Sequence, residues 1–163
     1  MVRPSFITAW AAFAAVKLPV NQVGKKMGGN VQKHIELPTG GFENACPIRM
    51  SYVLNSTGFL IHKSGLYVTV TGGDNRQYIY RVGDMINYLN MVFGKPDKVV
   101  KFPKAADFVN MKGIIAVKGH GWINAKGHVT LWDGKKCADS CHFMYDPDNG
   151  PFIPEVASIW VLH

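Results

Sequence analysis

One cysteine of this chain stands apart. Cys46 lies in FENACPIRMSY (residues 42–52), while the other two, Cys137 and Cys141, sit together far downstream. Pro47, directly after Cys46, fits only the first turn of a helix, where its missing N–H costs nothing. The spacing therefore predicts Cys46 at a helix N-terminus. The positive end of the helix dipole favours an anion there, and the thiolate is the form of cysteine that acts as a nucleophile. Backbone N–H groups of the same turn can hold an oxyanion. A buried structural thiol is the competing reading, and the commoner one for a lone cysteine.

A nucleophilic thiol needs a base. Of the six histidines, His128 opens the β-like run GHVTLWDG at a turn, and the glycine before it leaves space beside the ring. A residue at a strand entry is held firmly and faces a cleft. His120, in KGHGWIN, is the alternative base; His34, His62, His142 and His163 read as surface or packing residues. A third group must orient the imidazole and hold its tautomer. Asp133 lies five residues along the same strand, an odd offset that points it to the other face, roughly 17 Å away at strand rise. Asp139, in CADSC, follows the turn after Gly134 and can return alongside His128.

CADSC also places two cysteines four apart, followed by His142. Structural zinc sites take four ligands, often with two-residue gaps; two thiols and scattered histidines fall short, so no metal and no cofactor is expected. A Cys137–Cys141 disulfide is the expectation if the protein works outside the cytosol. Closing so short a loop stabilises a fold by only about 2 kcal/mol on the chain-entropy model, so its main effect is to pin the turn that presents Asp139. Cys46 is then the unpaired thiol.

The elements that position these groups follow from periodicity. Phe6, Trp10 and Phe13 recur at helical spacing behind Pro4 and predict a first helix near 5–17, closed by Pro19. The same stretch, basic and then apolar, mimics a signal peptide, and the helical face argues for the core instead. VNQVGKKMGGNVQKHIEL reads as a second helix, weakened by Gly28-Gly29 at about 1 kcal/mol per glycine. LPTGGFE is a loop. The Cys46 helix stops near Gly58. LYVTVTGGDNRQYIYRV reads as a hairpin around Gly-Gly-Asp-Asn, or as a loop leading to a strand. VGDMINYLNMVF is a helix with Gly94 as C-cap and Pro96 beyond it. GIIAVKG, GHVTLWDG and ASIWVLH read as strands of a meander. Helices first and strands later predict an α+β fold in one domain.

Composition sets the outer bounds. The 163 residues suit one domain, and 47% apolar with 18% charged residues suits a soluble globular protein with its own core. No stretch reaches the roughly 20 apolar residues of a membrane span. A net charge of +7 points to an anionic partner, such as nucleic acid, a membrane surface or an acidic cell wall. A basic binding module with a merely buried Cys46 is thus the rival class, and DNRQYIYR, with tyrosines among its cations, is its best feature.

NACPIRMSYVLN, YIYRVGDMINYL, FGKPD, GIIAVKGHGWINAKGHVTLWDG and CADSC, in that order over roughly residues 40–142, resemble the fourth family of type VI secretion amidase effectors. These are bacterial toxins with a papain-like cysteine-peptidase core related to the NlpC group. The resemblance implies a nucleophile at Cys46, a base at His128 and an acidic third member at Asp139. It implies as substrate the stem peptides of Gram-negative peptidoglycan, cut between the γ-carboxyl of D-glutamate and meso-diaminopimelate, with neither nucleic acid nor membrane insertion involved. It further implies export by the injection machine without a signal peptide, action in a rival's periplasm, where Cys137 and Cys141 would be oxidised, and neutralisation by a cognate immunity protein. Pro47 is a departure beside the nucleophile, able to alter the cleft wall or to stiffen the helix start. Asn44 and Trp122 read either as lining of the cleft or as structural residues.

Overall fold

A computed structural model describes residues 2–42 and 44–163; Met1 and Glu43, the last residue of the expected LPTGGFE loop, lie outside the described residues. The first helix, α1, spans Phe6–Ala14, with the Ser5 side chain accepting the Thr8 N–H as its N-cap. It is shorter than the expected 5–17. Arg3, just ahead of it, pairs with Asp97 and donates to the carbonyls of Phe93 and Val161, which ties the opening segment to the fold.

The second expected helix is two. α2 (Val20–Met27) and α3 (Gly29–Ile35) meet at Gly28, whose φ of +65° no helix accepts. A Cβ on Gly29 would lie 2.6 Å from the backbone of Gly72. The glycine pair thus turns the chain and lets another loop approach. That loop joins β1 (Thr69–Thr71) to β2 (Gln77–Ile79), an antiparallel two-stranded ribbon, and Gly73 N–H donates to Met27 O. The hairpin reading of this stretch is the correct one.

Helix α4 (Cys46–Ser56) begins at Cys46 with Pro47 in its first turn, and ends just before Gly58, whose φ is +91°. Helix α5 (Val82–Phe93) buries Val82, Met85, Leu89 and Phe93 and is capped by Gly94. Beyond it lies the main sheet: β3 (Lys98–Lys101), β4 (Gly113–His120), β5 (Gly127–Trp132) and β6 (Ile153–Val161), all antiparallel, in the order β3-β6-β4-β5. The expected meander is corrected here. β6 pairs with β4, so β5 is an edge strand of the sheet. Strand β3 was not anticipated, because DKVVKF is short, flanked by lysines and exposed on its free side.

The sheet is buried on both faces. Ile114 and Ala116 of β4 join Val129 and Leu131 of β5 and Trp160 of β6 beneath α1, α4 and α5. Ile115 and Val117 pack the other way, with Phe108, Trp132, Phe143 and Phe152. This is why GIIAV is continuously apolar rather than alternating. The architecture is α+β, with the N-terminal helices packed on an antiparallel sheet. No helix among the described residues is long and apolar enough to cross a membrane.

Candidate active site

The first turn of α4 fixes Cys46 because Pro47 can sit nowhere later in the helix. Cys46 is the free cysteine among the described residues and is 1% exposed. Helix α4 packs against β5, which brings His128, the second residue of that strand, to the sulfur. Gly127 serves this approach differently from the sequence expectation. A Cβ there would lie 2.2 Å from the carbonyl of Val117, so the glycine allows close strand pairing rather than room for the ring.

After β5 the chain turns at Asp133, whose carboxylate accepts the N–H groups of Lys135 and Lys136. It then runs back beside the strand: Trp132 bridges to Cys137, and Ala138 N–H donates to Leu131 O. Cys137 and Cys141 are joined in a disulfide, with Cα atoms 5.4 Å apart, and it closes the loop that carries Asp139. Asp139 Oδ1 lies 3.0 Å from His128 Nε2. Asp133, rejected on strand parity, is engaged in its own turn.

With Nε2 committed to Asp139, Nδ1 is the ring nitrogen left to face Cys46, the neighbour whose interaction raises His128. Burial would by itself push His128 down. The negative charge of Cys46 and the hydrogen bond to Asp139 outweigh burial and raise it to about 10. Burial likewise pushes Asp139 up, and its hydrogen bond to His128, the charge on that ring and the nearby Arg49 reverse this, holding its carboxyl below the usual range. The three groups stand in one line: sulfur, imidazole, carboxylate.

A cleft of about 820 Å³ opens beside them, lined by Asn44, Arg49, Trp122, His128, Asp139 and His142 among others. Asn44 and Trp122 are both among the lining residues. The Trp122 ring stacks on Phe152 at 4.0 Å, and its indole N–H donates to Asn149 O. Arg49 donates to the carbonyls of Val16 and Leu18. His120, the alternative base, lies exposed at the end of β4 and pairs with Glu155.

His142 is the residue that the sequence reading missed. Its ring stands edge-on to His128 at 4.9 Å and to Trp122 at 4.6 Å, and its Nδ1 meets Asn149 Oδ1 at 3.0 Å. Burial, and then the charge of His128, push it below 6.5. Its position directly after Cys141 was the available signal, since the disulfide that returns Asp139 to the strand must return its neighbour too. Among the described residues no group of three or more His, Cys, Asp or Glu could hold a metal ion.

An α+β core that sets a thiol on the first turn of a helix against an imidazole on an antiparallel strand and a carboxylate on the loop that returns along it is consistent with the plan of the papain-like cysteine hydrolases. The description "type VI secretion system (T6SS), amidase effector protein 4" (Tae4) matches residues 42–160, and the chain belongs to this family. It is accordingly an amidase, of a kind that acts on peptidoglycan. It is similar, at 59% identity and a TM-score of 0.93, to the effector Tae4 from Salmonella typhimurium in complex with the immunity Tai4 from Enterobacter cloacae, over 99% of this chain and 100% of that one. It is similar at 51% identity and a TM-score of 0.94 to the effector in the Tae4-Tai4 complex from Enterobacter cloacae, with the same coverage. The type VI effector Tae4 from Enterobacter cloacae is 50% identical, with a TM-score of 0.91, over 99% of this chain and 98% of that one. No curated protein matches the chain.

Proposed function

We propose that the chain is one catalytic domain that hydrolyses the amide between the γ-carboxyl of D-glutamate and meso-diaminopimelate in peptidoglycan stem peptides. The observation that carries this reading is His128, held between the Cys46 sulfur and the Asp139 carboxylate at the wall of the cleft. An imidazole so placed takes the thiol proton and forms a thiolate–imidazolium pair. The thiolate attacks the γ-glutamyl carbonyl, making the S–C bond while the carbonyl π pair moves to oxygen. Collapse of that intermediate breaks the C–N bond, and Nδ1–H of His128 protonates the departing amine. Water, deprotonated by the neutral His128, then attacks the thioester and frees the glutamyl carboxylate and the thiol. Asp139 keeps the ring oriented through Nε2 and favours its charged form.

The surroundings fit that substrate. The net charge of +7 suits a carboxylate-rich polymer, and screening over about 8 Å at physiological salt confines its effect to encounter. The reading has the effector made in one cell, exported by the type VI apparatus without a signal peptide, and active in the recipient's periplasm. The Cys137–Cys141 disulfide fits an oxidising compartment. The Salmonella and Enterobacter effectors are complexed with Tai4, and we extend to this chain a cognate immunity protein of that kind.

Mass spectrometry of purified sacculi after digestion tests reaction and bond together. New γ-D-glutamyl carboxylates paired with free diaminopimelate amines are expected. Products cut at another amide would redirect the reading to a different specificity on the same machinery.

A further inference from the structure

The N–H of the nucleophile, expected to hold the oxyanion, is already engaged. Cys46 N–H donates to Asn44 Oδ1 at 3.1 Å. The orientation of the carboxamide is forced, because an N–H needs an acceptor and the NH₂ end cannot serve. The NH₂ group is left with one contact among the described residues, to Gly127 O at a long 3.5 Å. Asn44 therefore bridges the turn that carries the nucleophile and the strand residue just ahead of the base. It is half-buried, and it lines the main cleft and the two smaller clefts beside it. The Cys46 sulfur, in contrast, is almost wholly covered. A carbonyl in the main cleft has Asn44 on its wall, with the Cys46 N–H held by the same side chain.

We propose that Asn44 is the second donor of the oxyanion hole. In the structure its Oδ1 accepts the Cys46 N–H. When the γ-glutamyl carbonyl arrives, the side chain turns, Oδ1 releases that N–H, and Nδ2–H meets the oxygen as the π pair moves onto it. Two donors then converge on the charge: one from the backbone of the nucleophile, the other from a side chain two residues before it. The turn gives up the long bond to Gly127 and the bond from the Cys46 N–H, and the substrate oxygen then accepts from both donors. The assignment rests on the amidase reading above, since it needs a carbonyl that passes through a tetrahedral oxyanion.

The test measures Asn44→Ala and Asn44→Ser in two assays. One is steady-state cleavage of a soluble stem peptide containing the γ-D-glutamyl–diaminopimelate bond. The other is the rate at which iodoacetamide alkylates Cys46, a displacement that builds no oxyanion. Removal of one oxyanion-hole donor costs about 10²–10³ in kcat, so kcat should fall by that order with KM nearly unchanged. The alkylation rate should stay at the wild-type level in both variants. Asn44→Ser keeps a hydroxyl that can cap the Cys46 N–H and so guards against simple loss of the helix start. A parallel fall of kcat and alkylation would make Asn44 a cap only and overturn the proposal, as would unchanged kcat in Asn44→Ala. If wild-type protein leaves the peptide intact, the amidase reading falls and the proposal with it. Wild-type cleavage with fully active Asn44 variants removes the proposal alone.

Discussion

Asp139 Oδ1 sits 3.0 Å from Nε2 of His128, although eleven residues and a tight turn separate the two in the chain. The return run that makes this contact is pinned by the Trp132–Cys137 bridge and closed by the Cys137–Cys141 disulfide. Position, tautomer and charge of the His128 ring all depend on it.

The first prediction concerns that charge. Burial alone would lower His128, and the charges of Cys46 and Asp139 raise it to about 10. Activity that needs the imidazolium should therefore persist toward pH 10 and decline beyond it. Asp139→Asn removes one of the charges that raise His128, so the alkaline limb of kcat/KM should move to lower pH. A pH–rate profile with an unmoved limb would show that the ring does not feel Asp139.

The second concerns the loop. Replacing Cys137 and Cys141 by Ser should lower kcat, because Asp139 is no longer held beside the ring. The stability cost on the chain-entropy model is about 2 kcal/mol for so short a loop. For a chain of this size that corresponds to a fall in Tm of about 4–8 °C. Thermal melts and peptide-release assays with and without reductant check both effects.

The fold legible in the sequence was the part written in local rules. Pro47 fixed the start of α4, the 3.6-residue spacing of Met85, Leu89 and Phe93 revealed α5, and strand parity chose Asp139 over Asp133. What was hidden depended on distant partners. The break at Gly28 is needed because the Gly72-Gly73 turn docks there, and the pairing of β6 with β4 follows from how both faces of the sheet are covered. His142 joins the site only once the disulfide brings its loop back. The bond from the Cys46 N–H to Asn44 Oδ1 spans two residues and leaves no mark in the periodicity of the chain.

The third prediction uses two histidines with opposite shifts. The folded-state pKa of His142 is depressed below 6.5, first by burial and then by the charge of His128. The charges of Asp148 and Asp139 and the bond to Asn149 oppose this only in part. The unfolded chain takes up this proton first. The stability linked to His142 is therefore complete above about pH 6.5 and is lost as pH falls through the folded value. His128 has the opposite sign: its contribution is present below pH 6.5 and is lost as pH rises through about 10. Tm measured against pH should show that His142→Gln flattens the acid side and leaves the alkaline side in place. An unchanged acid side would mean that His142 does not resist protonation in the folded protein.

The account stands on Cys46 and His128 acting as one unit, and the direct test is peptide release from purified sacculi by Cys46→Ala, His128→Ala and the double variant. Groups that act together lose their effect together. Each single variant should be as inactive as the double, with losses exceeding the order of 10²–10⁴ expected for a lone general base. Residual activity in Cys46→Ala, or single losses that multiply in the double variant, would contradict the account.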